Sequence, residues 1–252
     1  MKAAMPSVTL EMRDSVALVR LTKGVTNPID PGLIEDLFDA VTTARKKATA
    51  LVLAGGDKFF SIGLDLPQVL KLNRSDMRDY WYRFNQLAFE LYTLPMPTVC
   101  VLAGHAVAGG GVLALTGDFR LAAGPDKQIG LNEAKLGLPA PYIADLILRQ
   151  LIGDRAATPM LYEGEFVSFA QADKLGLIDA IYPEDQVETA AVEKAAGLSA
   201  CSGAAFAAFK VNRTETIREQ YQKNYRRQND LSVEFWFSPA VQARLHEAAK
   251  RF

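Results

Sequence analysis

Runs of hydrophobic residues predict the strands of this chain. The segment Val8–Leu21 alternates apolar and polar residues on both sides of Arg13 and Asp14, which predicts a two-stranded hairpin. Three further runs are short and continuously apolar, as buried strands are. They are ALVLAGG from Ala50, TVCVLAG from Thr98 and FRLAA from Phe119.

Helical spacing fills the stretches between these strands. Asp30 and Pro31 are typical of an N-cap and a first helical position, and the apolar residues that follow repeat at helical spacing: Leu33, Ile34, Leu37, Phe38 and Val41. A second, long amphipathic helix is predicted to start at a Ser75 cap. From about Tyr142 onward helical patterns dominate, with one strand predicted in LIDAIYP. Strands that alternate with helices predict an α/β domain with parallel strands, followed by a helical tail.

Charge adds little to this picture. The 252 residues carry a formal net charge of −1, which gives no sign of a nucleic-acid or membrane partner. No charged residue occurs between Glu90 and Asp118, a stretch long enough to cross a bilayer, but its prolines and glycines favour a buried strand, a turn and a buried helix. The first residues show no targeting pattern, so we expect a cytoplasmic protein, or one of the mitochondrial matrix if a presequence has been removed.

Cysteine and histidine are too scarce for most metal and thiol chemistry. Cys100 and Cys201 form no CxxC pattern, and we expect both to be free thiols in a reducing compartment. The two histidines, His105 and His246, are far apart in sequence, which argues against a histidine-rich metal site and against a Ser-His-Asp triad.

Two glycine-containing turns follow predicted strands. AGGGVLALTGD (Ala108–Asp118) leads into an apolar helix without the GK[ST] or GxGxxG spacing of phosphate-binding loops. FFSIGLDL (Phe59–Leu66) places Asp65 where it can cap a helix. Tight packing and an ordinary loop explain each turn taken alone. Together they would end at one edge of a parallel sheet, where ligands bind, and two backbone N–H groups there could form an oxyanion hole.

A carboxylate in an apolar stretch is the third candidate for chemistry. Glu133 lies in QIGLNEAKLGLPAPY, where burying an unpaired charge is costly. It could simply cap a helix or pair with Lys135. Beside an oxyanion hole it becomes a candidate general base.

Several of these stretches resemble the crotonase (enoyl-CoA hydratase/isomerase) superfamily, and most closely its mitochondrial-type 3,2-trans-enoyl-CoA isomerase branch. The resemblance covers roughly residues 8–187 and is carried by FFSIGLDL, DYW, AGGGVLALTGDFRLAA, IGLNEAKLGLPAPY, IGDRAA and LGLIDAIYPEDQV. It implies an α/β fold, a spiral of ββα units in residues 1–197, and a helical C-terminal trimerisation region in residues 198–252.

The resemblance also implies roles for individual residues. The N–H groups of Leu64 and Gly109 would form the oxyanion hole, and Glu133 would be the catalytic acid and base. The substrate-binding positions would be Ile62, Gly63, Asp65, Leu66, Gly110 and Tyr142. The CoA phosphates would lie near Lys23 and basic residues of the tail such as Lys210.

One departure from the family pattern bears on the reaction. Hydratases of the superfamily carry a second glutamate early in the helix after the glycines. The matching position here is Val112, which should face the substrate pocket. Hydration needs two groups to handle water, whereas a double-bond shift needs one base. We therefore expect an isomerase that converts 3-enoyl-CoA to 2-trans-enoyl-CoA. The alternatives are another single-glutamate acyl-CoA enzyme (a weak hydratase or a C–C hydrolase) and a catalytically idle binding protein.

The expected partner is an acyl-CoA thioester. This reaction needs no metal and no redox cofactor, and CoA is part of the substrate. We also expect a homotrimer or a dimer of trimers, because the helical tail resembles the family's assembly element. The cluster VEFWF (Val233–Phe237) is too apolar for an exposed tail, which favours the same assembly.

Overall fold

Strands and helices alternate through the first two thirds of the chain. The computed structural model describes residues 6–200 and 203–250. Its strands are β1 (Val8–Arg13), β2 (Val16–Leu21), β3 (Pro28–Ile29), β4 (Ala50–Ala54), β5 (Phe59–Ser61), β6 (Gly63–Leu64), β7 (Thr98–Leu102), β8 (His105–Val107), β9 (Phe119–Ala123), β10 (Gln128–Gly130), β11 (Val167–Ser168) and β12 (Ala180–Tyr182). Its helices are α1 (Pro31–Lys47), α2 (Leu66–Val69), α3 (Arg74–Tyr92), α4 (Gly109–Leu115), α5 (Glu133–Leu136), α6 (Tyr142–Glu163), α7 (Phe169–Lys174), α8 (Val187–Ala200), α9 (Gly203–Trp236) and α10 (Pro239–Ala249).

The main sheet has six strands in the order β1-β2-β4-β7-β9-β12. The predicted hairpin is confirmed, with β1 antiparallel to β2, and the remaining neighbours are parallel. A smaller sheet, β11-β10-β8-β5, receives the strand that follows each of β4, β7 and β9. Each turn of the chain thus adds one strand to each sheet and then a helix. This arrangement is the spiral of ββα units expected from the sequence, and the α/β class is confirmed.

Both faces of the main sheet are covered. Alternate residues of its strands face opposite sides, as strand geometry requires. Leu51 and Leu53 belong to the large core under α1 and α3, whereas Val52 belongs to a smaller core under α8. The uncharged stretch before Asp118 forms the end of α3, β7, β8 and α4. No helix among the described residues is long and apolar enough to cross a membrane.

Helix starts are partly as predicted. Asp30 caps α1, because its side chain accepts a hydrogen bond from the Leu33 N–H at 2.9 Å. The Ser75 cap is wrong: Asn73 is the N-cap of α3, and its Oδ1 accepts from the Asp76 N–H at 3.0 Å. An Asn two residues earlier satisfies the same need for an acceptor at the helix start. Ser75 therefore lies inside the helix.

The C-terminal helices pack back onto the spiral. α9 contacts α3 and α6, and α10 contacts α2, α5 and α9. The expected domain boundary at residue 197 falls inside α8, which covers the main sheet. The division into residues 1–197 and 198–252 stays a prediction.

Candidate active site

An apolar cavity of about 230 Å³ lies between the ends of the strands and the C-terminal helices. Its wall is formed by Ile62, Leu64, Leu66, Trp81, Phe84, Val107, Ala108, Gly109, Asn132, Glu133, Leu136, Leu138, Pro141, Phe166, Trp236, Leu245 and Ala248. Both glycine-containing turns predicted from the sequence contribute to it, as expected for loops at one edge of parallel strands. Glu133 is the only carboxylate in this wall among the residues that the structure describes.

Glu133 is the first residue of α5 and is 7 % exposed. Its Oε2 atom is buried and has no hydrogen-bond partner. Burial raises the pKa of Glu133 to about 7, and a hydrogen bond from its own backbone N–H offsets this only partly. Pairing with Lys135 is wrong as an explanation, because the Lys135 Nζ lies 2.7 Å from Glu165 instead. Glu133 can therefore accept or donate a proton near neutral pH inside the cavity.

Leu64 and Gly109, whose N–H groups are the predicted oxyanion hole, both line the cavity wall. The Asp65 N–H donates to the Ile29 carbonyl oxygen at 2.9 Å. Successive amides of a strand point to opposite edges, so the Leu64 N–H points away from β3. Gly109 opens α4, and its N–H is one of those that a helix leaves without an internal acceptor. Such a pair of amides can stabilise a negatively charged oxygen.

Close backbone packing holds these amides together. A Cβ on Gly63 would lie 2.8 Å from the Gly109 nitrogen, and a Cβ on Gly110 would lie 2.2 Å from the Ser61 carbonyl oxygen. Ala108, just before α4, has φ 51° and ψ −126°, a conformation that a residue with a Cβ rarely adopts. Local strain of this kind costs about 1–3 kcal/mol and is typical of functional sites.

The remaining predicted substrate-binding residues divide into two groups. Ile62 and Leu66 line the cavity. Asp65 caps α2, accepting from the Gln68 N–H at 3.2 Å, and Gly63 and Gly110 lie behind the cavity wall. Tyr142 lines a separate surface depression beside Leu138 and Tyr162. Contact of these four residues with a substrate stays a prediction.

Lys210 is buried, whereas a lysine that binds the CoA phosphates would have to face solvent. It is 3 % exposed, and its Nζ donates to Asp118 Oδ2 at 2.8 Å, to the Met96 carbonyl oxygen at 3.0 Å and to Thr98 Oγ1 at 3.1 Å. A buried ammonium needs such partners. The expectation that Lys210 holds CoA is therefore wrong. Lys23 is half-buried against the carboxylate of Asp30.

Val112 also differs from expectation. It was expected to face the substrate pocket, but it is 1 % exposed and is not among the residues that form the cavity wall. Cys100 is a free, buried cysteine, and burial raises the pKa of its thiol to about 12, so it is inert at neutral pH. Cys201 lies outside the described residues. No group of three or more potential metal ligands (His, Cys, Asp or Glu) occurs in residues 6–200 and 203–250.

Several wall residues were missed at the sequence level. Asn132 occupies the N-cap position of α5 without capping it, and its buried Oδ1 has no partner. Trp236, Leu245 and Ala248 come from α9 and α10. VEFWF signalled Trp236, but the cluster was assigned to an interface between subunits. That argument is wrong for Val233 and Trp236, which are 4 % and 1 % exposed within this chain.

Two curated proteins are similar to this chain over part of its length. Mitochondrial enoyl-CoA delta isomerase 1 of Mus musculus is 40 % identical over 133 residues, which are 52 % of this chain and 46 % of the relative. The Rattus norvegicus protein of that name is 38 % identical over 186 residues, 71 % of this chain and 64 % of the relative. The chain thus spans about half to two thirds of the length of these curated relatives.

The structural comparison and the family profile each cover more of the chain than these two sequence matches do. The crystal structure of human mitochondrial delta3-delta2-enoyl-CoA isomerase has a TM-score of 0.92 and 26 % identity, covering 97 % of this chain and 97 % of that one. The profile of the enoyl-CoA hydratase/isomerase family matches residues 11–251. The protein therefore belongs to the enoyl-CoA hydratase/isomerase family.

Proposed function

We propose that this protein is a 3,2-trans-enoyl-CoA isomerase. The observation that carries the proposal is the composition of the cavity: one buried carboxylate with a free oxygen, beside two backbone amides, in a wall that is otherwise almost entirely apolar. The isomerase names of the relatives support it. The substrate class is a 3-enoyl thioester of CoA.

The reaction needs two proton transfers and no water. The thioester oxygen lies against the N–H groups of Leu64 and Gly109. Glu133 removes a proton from C2, and the resulting dienolate carries its negative charge on that oxygen, where the amides stabilise it. Glu133 then returns the proton to C4, and the double bond moves from C3–C4 to C2–C3. The same proton leaves and re-enters, so no second acid is required.

The apolar wall suits this chemistry in two ways. It raises the pKa of Glu133 to about 7, so the carboxylate is a stronger base than an exposed one yet is still largely ionised slightly above neutral pH. It also keeps water from the dienolate, which favours return of the proton over side reactions. A hydratase would need a second acid–base group for water, and no second carboxylate lines this part of the described chain.

The test is a coupled assay on 3-hexenoyl-CoA that follows the absorbance of the 2-enoyl thioester. We expect turnover by the unaltered protein and a loss of about 10²–10⁴-fold in Glu133→Gln, the usual size of a general acid–base contribution. Acyl-CoA binding and thermal unfolding should show that the variant is folded.

Glu165→Gln is the matched control. Glu165 is 61 % exposed in its side chain and pairs with Lys135 close to the site, so its loss should leave turnover unchanged. Near-normal activity in Glu133→Gln would remove Glu133 from the mechanism. Hydration of crotonyl-CoA faster than isomerisation would favour the hydratase alternative.

A further inference from the structure

Helix α10 contributes the last two cavity-wall residues in sequence, Leu245 and Ala248. It bears an inward stripe of Val241, Leu245 and Ala248, spaced as one helical face. Val241 and Leu245 are 4 % and 0 % exposed, whereas Ala248 is half-buried. Leu245 and Ala248 both line the cavity, together with Trp236 at the end of α9.

α10 is also fixed to the elements that carry the reacting groups. It packs on α2, just after Leu64, and on α5, which begins with Glu133. Gly137, which ends α5 with φ +80°, is so close that a Cβ there would lie 2.8 Å from Arg244 Nη1 and 3.2 Å from Val241 Cγ2. At its start, Gln242 Nε2 donates to the Trp236 carbonyl oxygen at 2.7 Å. These contacts hold α10 in place against α5, and they therefore fix the distance between its inner face and Glu133.

The polar and apolar parts of the cavity are separate. The reacting thioester carbons must lie at Glu133, Leu64 and Gly109, and the CoA part must extend toward solvent. Apart from Asn132, the rest of the wall is apolar, and it includes Trp81, Phe84, Leu136, Leu138, Trp236, Leu245 and Ala248. Carbons beyond C4 would pack against these apolar side chains.

We propose that α10 sets the acyl-chain length that the site accepts, with Leu245 and Ala248 meeting the end of the chain. The inference rests on the proposed function only in placing the thioester at Glu133. Ala248 is the smallest side chain that α10 contributes, so it leaves the space that the terminal carbons occupy. Long chains are excluded because α10 is held by Gly137 and Trp236.

The test measures binding, so that it does not depend on catalysis. Calorimetric affinities for the saturated series from butyryl-CoA to palmitoyl-CoA should rise with each methylene up to a break, where the chain meets α10. Ala248→Phe should move the break to a shorter chain and weaken binding of longer ones by at least about tenfold, the effect of one misplaced methylene in an apolar pocket. Leu245→Ala should move the break to a longer chain, and Leu245→Val serves if that variant is unstable.

Ala243→Phe is the control, because Ala243 lies on the exposed face of the same helix. It should leave the series unchanged. A break that does not move in either cavity variant overturns the proposal, as does an equal loss of affinity at every chain length or the same shift in Ala243→Phe. If the series behaves as expected but 3-enoyl-CoA is not turned over, the proposed reaction fails and the role of α10 stands. If 3-enoyl-CoA is turned over but affinity shows no dependence on chain length, the role of α10 fails and the proposed reaction stands.

Discussion

At the scale of single residues, Glu133, as the proposed base, should determine the pH dependence of the proposed isomerisation. Only the ionised carboxylate can remove the C2 proton, and burial raises its pKa to about 7. We expect kcat/KM to rise about tenfold per pH unit below about pH 6 and to level off above about pH 8, as a single ionisation requires. Initial rates across this range measure it. A flat profile would mean that another group is the base.

The same burial predicts a stability effect. The native pKa of about 7 exceeds the ordinary glutamate value of 4.5, so the folded protein binds the proton more tightly than the unfolded one. The free energy of unfolding should therefore fall as pH rises from about 4.5 to 7, by up to about 3 kcal/mol, and stay constant above that. Urea unfolding at pH 5 and pH 8 measures this difference. In Glu133→Gln the contribution of this group should vanish. If the free energy of unfolding changed equally between pH 5 and pH 8 in the unaltered protein and in Glu133→Gln, the prediction would be contradicted.

Glu133 could be singled out from sequence because a carboxylate in an apolar stretch is unusual. Lys210 could not be placed in the same way. A lysine is usually solvated, and its buried partners Asp118, Thr98 and Met96 lie about a hundred positions away in the chain. Local patterns carry no information on such pairings.

At the scale of elements, the start of α3 offers a direct comparison of two candidate caps. Asn73→Ala removes the acceptor for the Asp76 N–H and should destabilise the protein by about 1 kcal/mol. Ser75→Ala lies inside the helix and should have little effect or a slightly stabilising one, since alanine has the higher helix propensity. Chemical denaturation of both variants measures the difference. The reverse order would restore Ser75 as the cap.

A substitution in helix α4 tests whether the missing second glutamate is the reason that hydration should be poor. Val112→Glu puts a second carboxylate where hydratases of the superfamily carry one, but Val112 is 1 % exposed and outside the cavity wall. We expect lower stability, because burying an unpaired carboxyl is costly, and only slight hydration of crotonyl-CoA. Melting temperature and the crotonyl-CoA assay measure both. Efficient hydration in a stable variant would show that this position reaches the substrate.

Long periodic elements were predictable, and short ones were not. Strand β2 and helix α1 contain enough residues to show a period, and β4, β7 and β9 stand out as continuous apolar runs. Strands β3, β6 and β11 have two residues each, too few for any pattern. They form because neighbouring turns of the spiral bring their backbones together. The α10 wall was unpredictable for the same reason, since its contacts with α2 and α5 are distant in sequence.

At the scale of the whole molecule, a homotrimer is still the expected assembly, but on different residues. Val233 and Trp236 are buried within the chain, whereas Phe209, Val211, Leu231 and Phe235 on α9 are 71, 46, 41 and 42 % exposed. Exposed apolar side chains on one helix favour a contact between subunits. Light scattering at micromolar concentration should give a mass three or six times that of one chain. A monomer would contradict the prediction.

The position of α10 in the chain has a consequence for synthesis. The first cavity residue is Ile62 and the last is Ala248, so the pocket cannot close before residue 248 has been synthesised. Domains generally begin to fold from the N-terminus during translation, at about 5–20 residues per second. The spiral can form while α10 is still inside the exit tunnel, with Glu133 open to water. A nascent chain stalled with α10 still inside the tunnel should therefore have a folded spiral yet bind acyl-CoA poorly, and emergence of α10 should restore binding.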